Sequence, residues 1–351
     1  MGHDQRDTLK DEQYYTPFYH NTMVRDRFFH ILRFLHFENN EAPPNRDDPE
    51  YDRLWKIRKI FNNLNSKFCE LYYPSEHLAV DEVIVLFKGS VFWQYTPKKH
   101  KRFGIKIYKL CDSLGNTYDM AVYLGKQRKL ATEEITSTHG IVLQLIQRVE
   151  GSGHKLYMDS YFSSPALYDD LLERKINVCG TICNERRGNA TRNLAQIDEI
   201  EKKKKGYCDK SEGESKCCSL ERQALCVCSD EYAPSSIGGD ESGHAIKPHV
   251  IEDYNAHMGF VDKSDRMVNS YGIARRTWKG TKKLFSHLLD MTILNAYLLH
   301  KSCDGKMTHK KFREILVRDL ILQSRISRSV AFLGGRPSSP GAQVSRLELI
   351  H

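Results

Sequence analysis

The chain has 351 residues, 40% apolar and 28% charged, a composition that fits a globular protein and excludes collagen-like, wholly disordered and disulfide-scaffold classes. Its length exceeds an average domain of roughly 100–200 residues, so two structural units, or one core with a large insertion, is the starting bound. The 53 Lys+Arg against 45 Asp+Glu leave a net charge of +8. No apolar run reaches the roughly 18 residues of a membrane helix, and the N-terminus Met1-Gly2-His3-Asp4-Gln5-Arg6 lacks a signal-peptide core. An intracellular protein with no membrane partner is expected.

In chain order, the spacing of Phe28, Ile31, Leu32 and Leu35 predicts a helix over 23–35. Asn39 to Pro49 breaks it, and Leu54, Ile57, Phe61 and Leu64 predict a second helix over 54–64. Residues 1–75 therefore read as a helical N-terminal domain. Three β-rich runs follow, 78–87, 104–112 and 118–125, spaced as consecutive antiparallel strands. Ile141, Val142, Leu145 and Ile146 predict a helix within 133–149. A fourth strand at 155–159 leads to a helix with Ser164 capping and Pro165 in its first turn, and then to a fifth strand at 176–181. Three strands, helix, strand, helix, strand is the order of an α/β sheet.

From 184 to 252 the pattern dissolves into loop-like sequence in which 223–228 is the one convincing strand, as expected of an insertion. Helical periodicity returns at 261–271 and at 283–299, the latter apolar on most sides and so expected to be buried. The Ser-, Arg-, Gly- and Pro-rich residues 323–351 read as a disordered tail.

The positive charge is uneven. Lys88, Lys98, Lys99, Lys101, Arg102, Lys106 and Lys109 occur without an intervening acid, and so do Arg275, Arg276, Lys279, Lys282 and Lys283. Aromatic residues interleave with both stretches, among them Trp93, Tyr95, Phe103 and Trp278. Clustered cations suit phosphates and flat rings suit bases, so nucleic acid is one reading and two solvated faces the other. Of the 10 cysteines, Cys183, Cys208, Cys217, Cys218, Cys226 and Cys228 crowd one segment without a C-x-x-C pair. Free thiols are expected there, with a zinc module as the weaker reading.

Three acids stand where metal chemistry would place them: Asp81 inside the first strand, Asp159 ending the fourth, and Asp262 opening the first helix after the insertion. A charge in an apolar strand is costly unless paired or metal-bound. If the first and fourth strands are neighbours, Asp81 and Asp159 lie side by side. Converging carboxylates suit two magnesium ions that cleave a phosphodiester. Asp265, three residues past Asp262 on the same helical face, would support the site. Among 45 acids, helix caps and surface ion pairs are the ordinary alternative.

Val80-Asp81-Glu82 with Phe87-Lys88-Gly89, Gln94-Tyr95-Thr96-Pro97-Lys98-Lys99-His100-Lys101-Arg102-Phe103, Met158-Asp159-Ser160-Tyr161-Phe162, Gly180-Thr181, Tyr254-Asn255-Ala256-His257-Met258-Gly259-Phe260-Val261-Asp262-Lys263-Ser264-Asp265 and Leu294-Asn295-Ala296 together resemble the piggyBac transposase family over about residues 10 to 320. The resemblance implies an α/β, RNase H-like catalytic core of the DDE type, carried by 76–183 and 253–322 and interrupted by the insertion. It also implies a DNA-binding and dimerisation role for residues 1–75. By motif position Asp81, Asp159 and Asp262 are the catalytic and metal-binding carboxylates and Asp265 the supporting acid. The implied cofactor is Mg2+ or Mn2+ in a two-metal site, and the implied partners are DNA and a second copy in a homodimer. The implied activity is DNA cleavage and strand transfer at TTAA targets in the nucleus. DNA contacts are expected from Lys98, Lys99, Lys101, Arg102, Lys106, Arg275, Arg276, Lys279, Lys282 and Lys283. The alternative is a catalytically inactive, element-derived DNA-binding protein.

Overall fold

The computed structural model describes residues 17–41, 44–45, 47–48, 51–87, 94–95, 103–125, 136–183, 207–208, 216–220, 223–228, 249–275 and 277–333. The helices are α1 (Pro17–Thr22), α2 (Arg25–Phe34), α3 (Arg58–Leu71), α4 (Ser137–Ile146), α5 (Pro165–Glu173), α6 (His249–His257), α7 (Phe260–Ser270), α8 (Gly280–Ser302) and α9 (His309–Leu333). The strands are β1 (His77–Leu86), β2 (Gln94–Tyr95), β3 (Phe103–Asp112), β4 (Thr117–Val122), β5 (Lys155–Met158), β6 (Asn177–Cys183), β7 (Tyr207–Cys208), β8 (Lys216–Leu220) and β9 (Gln223–Cys228). The chain divides into two compact units, one of Met1–Leu35 with Lys306–His351 and one of His36–Gly305.

The larger unit is built on one mixed sheet in the order β2-β3-β1-β5-β6-β9-β8-β7, with β4 also paired to β3. β1 is antiparallel to β3 and parallel to β5, and β5 is parallel to β6. Helices cover both faces, so the central strands are apolar on both sides, as parallel pairing demands. On one face Leu78, Val80, Leu110, Leu156 and Met158 pack against Ile141, Val142, Leu145 and Ile146 of α4 and Leu167, Tyr168 and Leu171 of α5. On the other, Val85, Ile105, Ile107 and Met120 pack against Phe61 and Phe68 of α3 and Leu284, Leu288, Met291 and Leu294 of α8. Further along that second face, the period-two alternation of β1 turns Ala79 and Val83 toward Phe260 and Val261 of α7.

Local chemistry sets the element ends. Ser164 caps α5 by accepting from the Leu167 amide at 3.3 Å, with Pro165 in the first turn as expected. Thr136 caps α4 in the same way through the His139 amide at 3.3 Å.

Some expectations are altered. Residues 36–75 do not group with the N-terminal helices: Leu54, Ile57 and Phe61 are buried in the sheet's own core. α2 contains no buried residue, and Phe28, Ile31 and Phe34 on it are exposed. The insertion supplies β7, β8 and β9, which continue the main sheet outward from β6. The segment expected to be a disordered tail from 323 is helical to Leu333, because α9 continues without a breaker, and residues 334–351 lie outside the described residues.

Candidate active site

β1 reads His-Leu-Ala-Val-Asp-Glu-Val-Ile-Val-Leu, and its buried run is interrupted only at Asp81 and Glu82 between its ends. Strand alternation puts His77, Ala79, Asp81 and Val83 on one face, the face covered by Phe260 and Val261. The parallel register pairs Ala79 with Tyr157 and Val80 with Met158. One step further sets Asp81 beside Asp159, on the face that carries Tyr157. The neighbourhood expected from the sequence is therefore present in the sheet.

Both carboxylates are held by backbone amides. Asp81 Oδ1 accepts from the Glu82 amide at 2.6 Å, and Asp159 Oδ1 accepts from the Tyr161 amide at 3.0 Å. The turn after Asp159 is closed by Phe162 and Ser163 amides donating to its carbonyl, each at 3.2 Å, and by Ser163 Oγ donating to the same oxygen at 2.8 Å. Tyr254 of α6 reaches the same place. Burial, then the charges of Asp159, Cys179 and Asp81, push its hydroxyl up to about 12 against a lowering hydrogen bond with Thr181.

Asp262 is the third residue of α7 and is exposed, and Asp265, one turn on, is half-buried. α7 is moored to the sheet beside Asp81. Lys109, directly across from Asp81 in the β1–β3 register and 0% exposed, donates to Ser264 Oγ at 3.0 Å. Thr117 and Ser264 hydroxyls lie 3.3 Å apart, and Lys263 Nζ donates to the Ser113 carbonyl at 2.8 Å. Behind this, Asn295 of α8 takes the Thr117 amide at 3.1 Å and gives to the Thr117 carbonyl at 2.8 Å, as a neighbouring strand would. That is a structural reason for the Leu294-Asn295-Ala296 motif.

The donor set of Asp81, Asp159 and Asp262 is all carboxylate oxygen, which fits a hard divalent cation. Among the described residues, the one group of three possible ligands whose atoms lie within 4.8 Å of one another is His77, Asp253 and His257.

The expected DNA-binding residues are placed unevenly. Lys98, Lys99, Lys101, Arg102 and Arg276 lie outside the described residues. Lys106 is not a surface cation: it is 5% exposed, 3.9 Å from Glu82 Oε2, with its ammonium 5.0 Å from the Tyr108 ring centre and 4.0 Å from that of Tyr161. Both faces of β3 are covered, so no lysine on its central residues can reach solvent. Arg275 and Lys279 are exposed beside Trp278, itself 80% exposed, while Lys282 and Lys283 are half-buried in the first turn of α8. Burial, and then the charge of Lys279, lowers the pKa of Lys282. Asp290, buried in α8, accepts from the Ile273 amide at 3.3 and 3.0 Å and so anchors the loop that bears this cluster.

The sheet thus places two carboxylates side by side on one strand face, with a third acid on a helix moored over that face. A family model described as Transposase IS4 matches residues 5–297, and the chain belongs to this family of piggyBac-type transposases. It is 28% identical over 312 residues to human PiggyBac transposable element-derived protein 3, a match covering 82% of this chain and 51% of that protein. It is 24% identical over 316 residues to human PiggyBac transposable element-derived protein 2, covering 83% and 51% respectively. The chain thus spans about half the length of the curated relatives it matches. A piggyBac transposase in a synaptic complex with hairpin DNA, solved by cryo-electron microscopy, has the same fold: TM-score 0.76 at 23% identity, covering 99% of this chain and 75% of that one.

Lys109, Tyr254, Gly180 and the cluster around His77 were not singled out as site residues from the sequence. The i, i+4 spacing of Asp253 and His257 on a helix was the available signal for the last.

Proposed function

We propose that this chain is a metal-dependent DNA transposase, with an RNase H-like core, in which Asp81, Asp159 and Asp262 are the catalytic carboxylates and Asp265 supports them. The observation that carries this is the β1–β5 register, which brings Asp81 beside Asp159 under the start of α7. Divalent ions, Mg2+ or Mn2+, held there would activate the attacking hydroxyl group and neutralise charge on the phosphoryl transition state. The protein's own part is positional. Lys109 and Ser264 keep α7, and with it Asp262, against the sheet. Backbone amides orient Asp81 and Asp159. Arg275, Trp278, Lys279, Lys282 and Lys283 form a basic, aromatic surface suited to a DNA backbone and an unpaired base. Strand transfer at TTAA and a nuclear location follow from the family resemblance. The exposed Phe28, Ile31 and Phe34 of α2 suit the homodimer that the resemblance implies.

A second reading is a DNA-binding descendant without catalysis. The exposed Arg275, Trp278 and Lys279 favour it, since they would grip DNA without any part played by the carboxylates. One experiment separates the two: nicking of duplex DNA carrying transposon-like ends, with Mg2+ or Mn2+, by the chain and by Asp159→Asn. Metal-dependent nicking lost in the variant supports catalysis. Salt-sensitive binding with no nicking in either metal supports the second reading.

A further inference from the structure

About 13 Å along β1 from Asp81, at the strand's first residue, is a second group of ligand-type side chains. One atom each of His77, Asp253 and His257 lies within 4.8 Å of the other two, and all three residues are half-buried. None belongs to the acidic site. Their hydrogen bonds settle which ring nitrogens are available. Tyr157, wholly buried, donates its single hydroxyl proton to Asp253 Oδ2 at 2.7 Å. Its oxygen can then only accept from His77 Nδ1, 2.9 Å away, so His77 carries its proton on Nδ1 and presents a lone pair at Nε2. His257 Nδ1 lies 2.7 Å from the Asp253 carbonyl and 3.1 Å from Asp253 Oδ1, oxygens that only accept, so Nδ1 carries a proton and Nε2 is the nitrogen that the neutral ring has to offer a metal.

Two imidazoles with Nδ1 bound to oxygen, and a carboxylate oriented by a tyrosine, make the arrangement that outer hydrogen bonds give to histidine metal ligands. The rings lie side by side, centroids 4.1 Å apart and planes 21° from parallel, with Tyr157 stacked against His257 at 4.8 Å. We infer that His77, Asp253 and His257 form a second metal site, for a borderline transition ion of the zinc class, separate from the carboxylate site. Two nitrogens and one oxygen select such an ion over magnesium, which prefers oxygen throughout. Coordination opens the stacked rings so that both lone pairs meet the ion, and water completes the shell. The site ties α6 to the first residue of β1. It thereby steadies the helix that carries Tyr254 toward Asp81 and Asp159 and leads directly into α7.

Cobalt(II) titration of the full chain, followed by visible absorption, tests this. The cysteines of the insertion are the competing ligands, and thiolate sites show an intense near-ultraviolet charge-transfer band that nitrogen and oxygen sites lack. Wild type should bind one equivalent with the visible bands of a nitrogen-ligated ion, beyond any oxygen-ligated cobalt at the carboxylates, and Asp81→Asn should keep those bands. His257→Gln should abolish these bands, and Tyr157→Phe, which keeps the ring's volume, should weaken binding about 10–100-fold. Only thiolate bands in wild type, no uptake, or unchanged affinity in either variant would overturn the inference. If His257→Gln does not fold, the wild-type spectrum and Tyr157→Phe still decide it.

Discussion

Gly180 tests the geometry around Asp159 without touching a carboxylate. It pairs with Met158 in the β5–β6 register. A Cβ placed there would meet the Met158 carbonyl oxygen at 2.6 Å, Ser163 Oγ at 2.8 Å and the Tyr168 hydroxyl. Ordinary contact begins at 3.4 Å, so the Met158 carbonyl, a backbone atom, would have to yield by about 0.8 Å. Met158 precedes Asp159, and Ser163 Oγ holds the Asp159 carbonyl, so the shift passes straight to the Asp159 carboxylate. Overpacking of this kind costs about 1–3 kcal/mol, which in a unit of this size lowers the melting temperature by roughly 2–12 °C. A displacement near 1 Å can lower a rate by about 100-fold. Gly180→Ala should therefore melt lower and nick DNA far more slowly than wild type, while binding DNA equally well. Wild-type melting and wild-type nicking together would refute the close packing from which this follows.

Asn295→Ala removes two buried hydrogen bonds to Thr117 and should cost about 2–4 kcal/mol in urea unfolding; a loss below about 0.5 kcal/mol would mean that α8 does not depend on this pair. Burial raises the pKa of Asp119 above 3.8 in spite of hydrogen bonds from Asn65 and the Met120 amide. A carboxyl raised in the fold favours folding below about 3.8, and that contribution is lost as pH rises through the folded value. Asp119→Asn keeps an acceptor oxygen for both donors, so thermal melts should show equal or higher stability at pH 7 and a shallower fall above pH 4. Trp278→Ala should weaken single-stranded DNA binding by about 1–3 kcal/mol in fluorescence anisotropy, and Lys279→Glu should reduce the slope of log affinity against log salt by about 1. An unchanged slope would move the DNA surface elsewhere.

Much of the sheet could be read from the chain because its strands are short, apolar and bounded by turn residues. β1, β3, β4 and β5 begin or end within a few residues of their expected limits, and Ser164-Pro165 marked α5 through a local capping rule. β2, β7 and β8 escaped because strands of two to five residues in polar sequence have too few positions to show alternation. Lys106 was misplaced because charge suggested solvent, whereas pairing of β3 on both edges with cover on both faces encloses it among Tyr108, Tyr161 and Glu82. Asp81 and Asp159 were legible as costly charges in apolar strands. The mooring of α7 by Lys109 was not, since its partner Ser264 lies 155 residues away and no local pattern joins them.

That long reach bears on the order in which the protein matures. As the chain is made, β1 can pair with β3 at once and with β5 soon after, so two acids are neighbours while most of the polypeptide is unmade. The Lys109 ammonium, destined to be wholly buried, must stay hydrated until α7 arrives. A chain stopped within the insertion would carry two of the three acids and a lysine with no acceptor at Ser264. The acidic cluster and the mooring that holds its helix are thus completed only near the end of the larger unit, well after the first two acids have become neighbours.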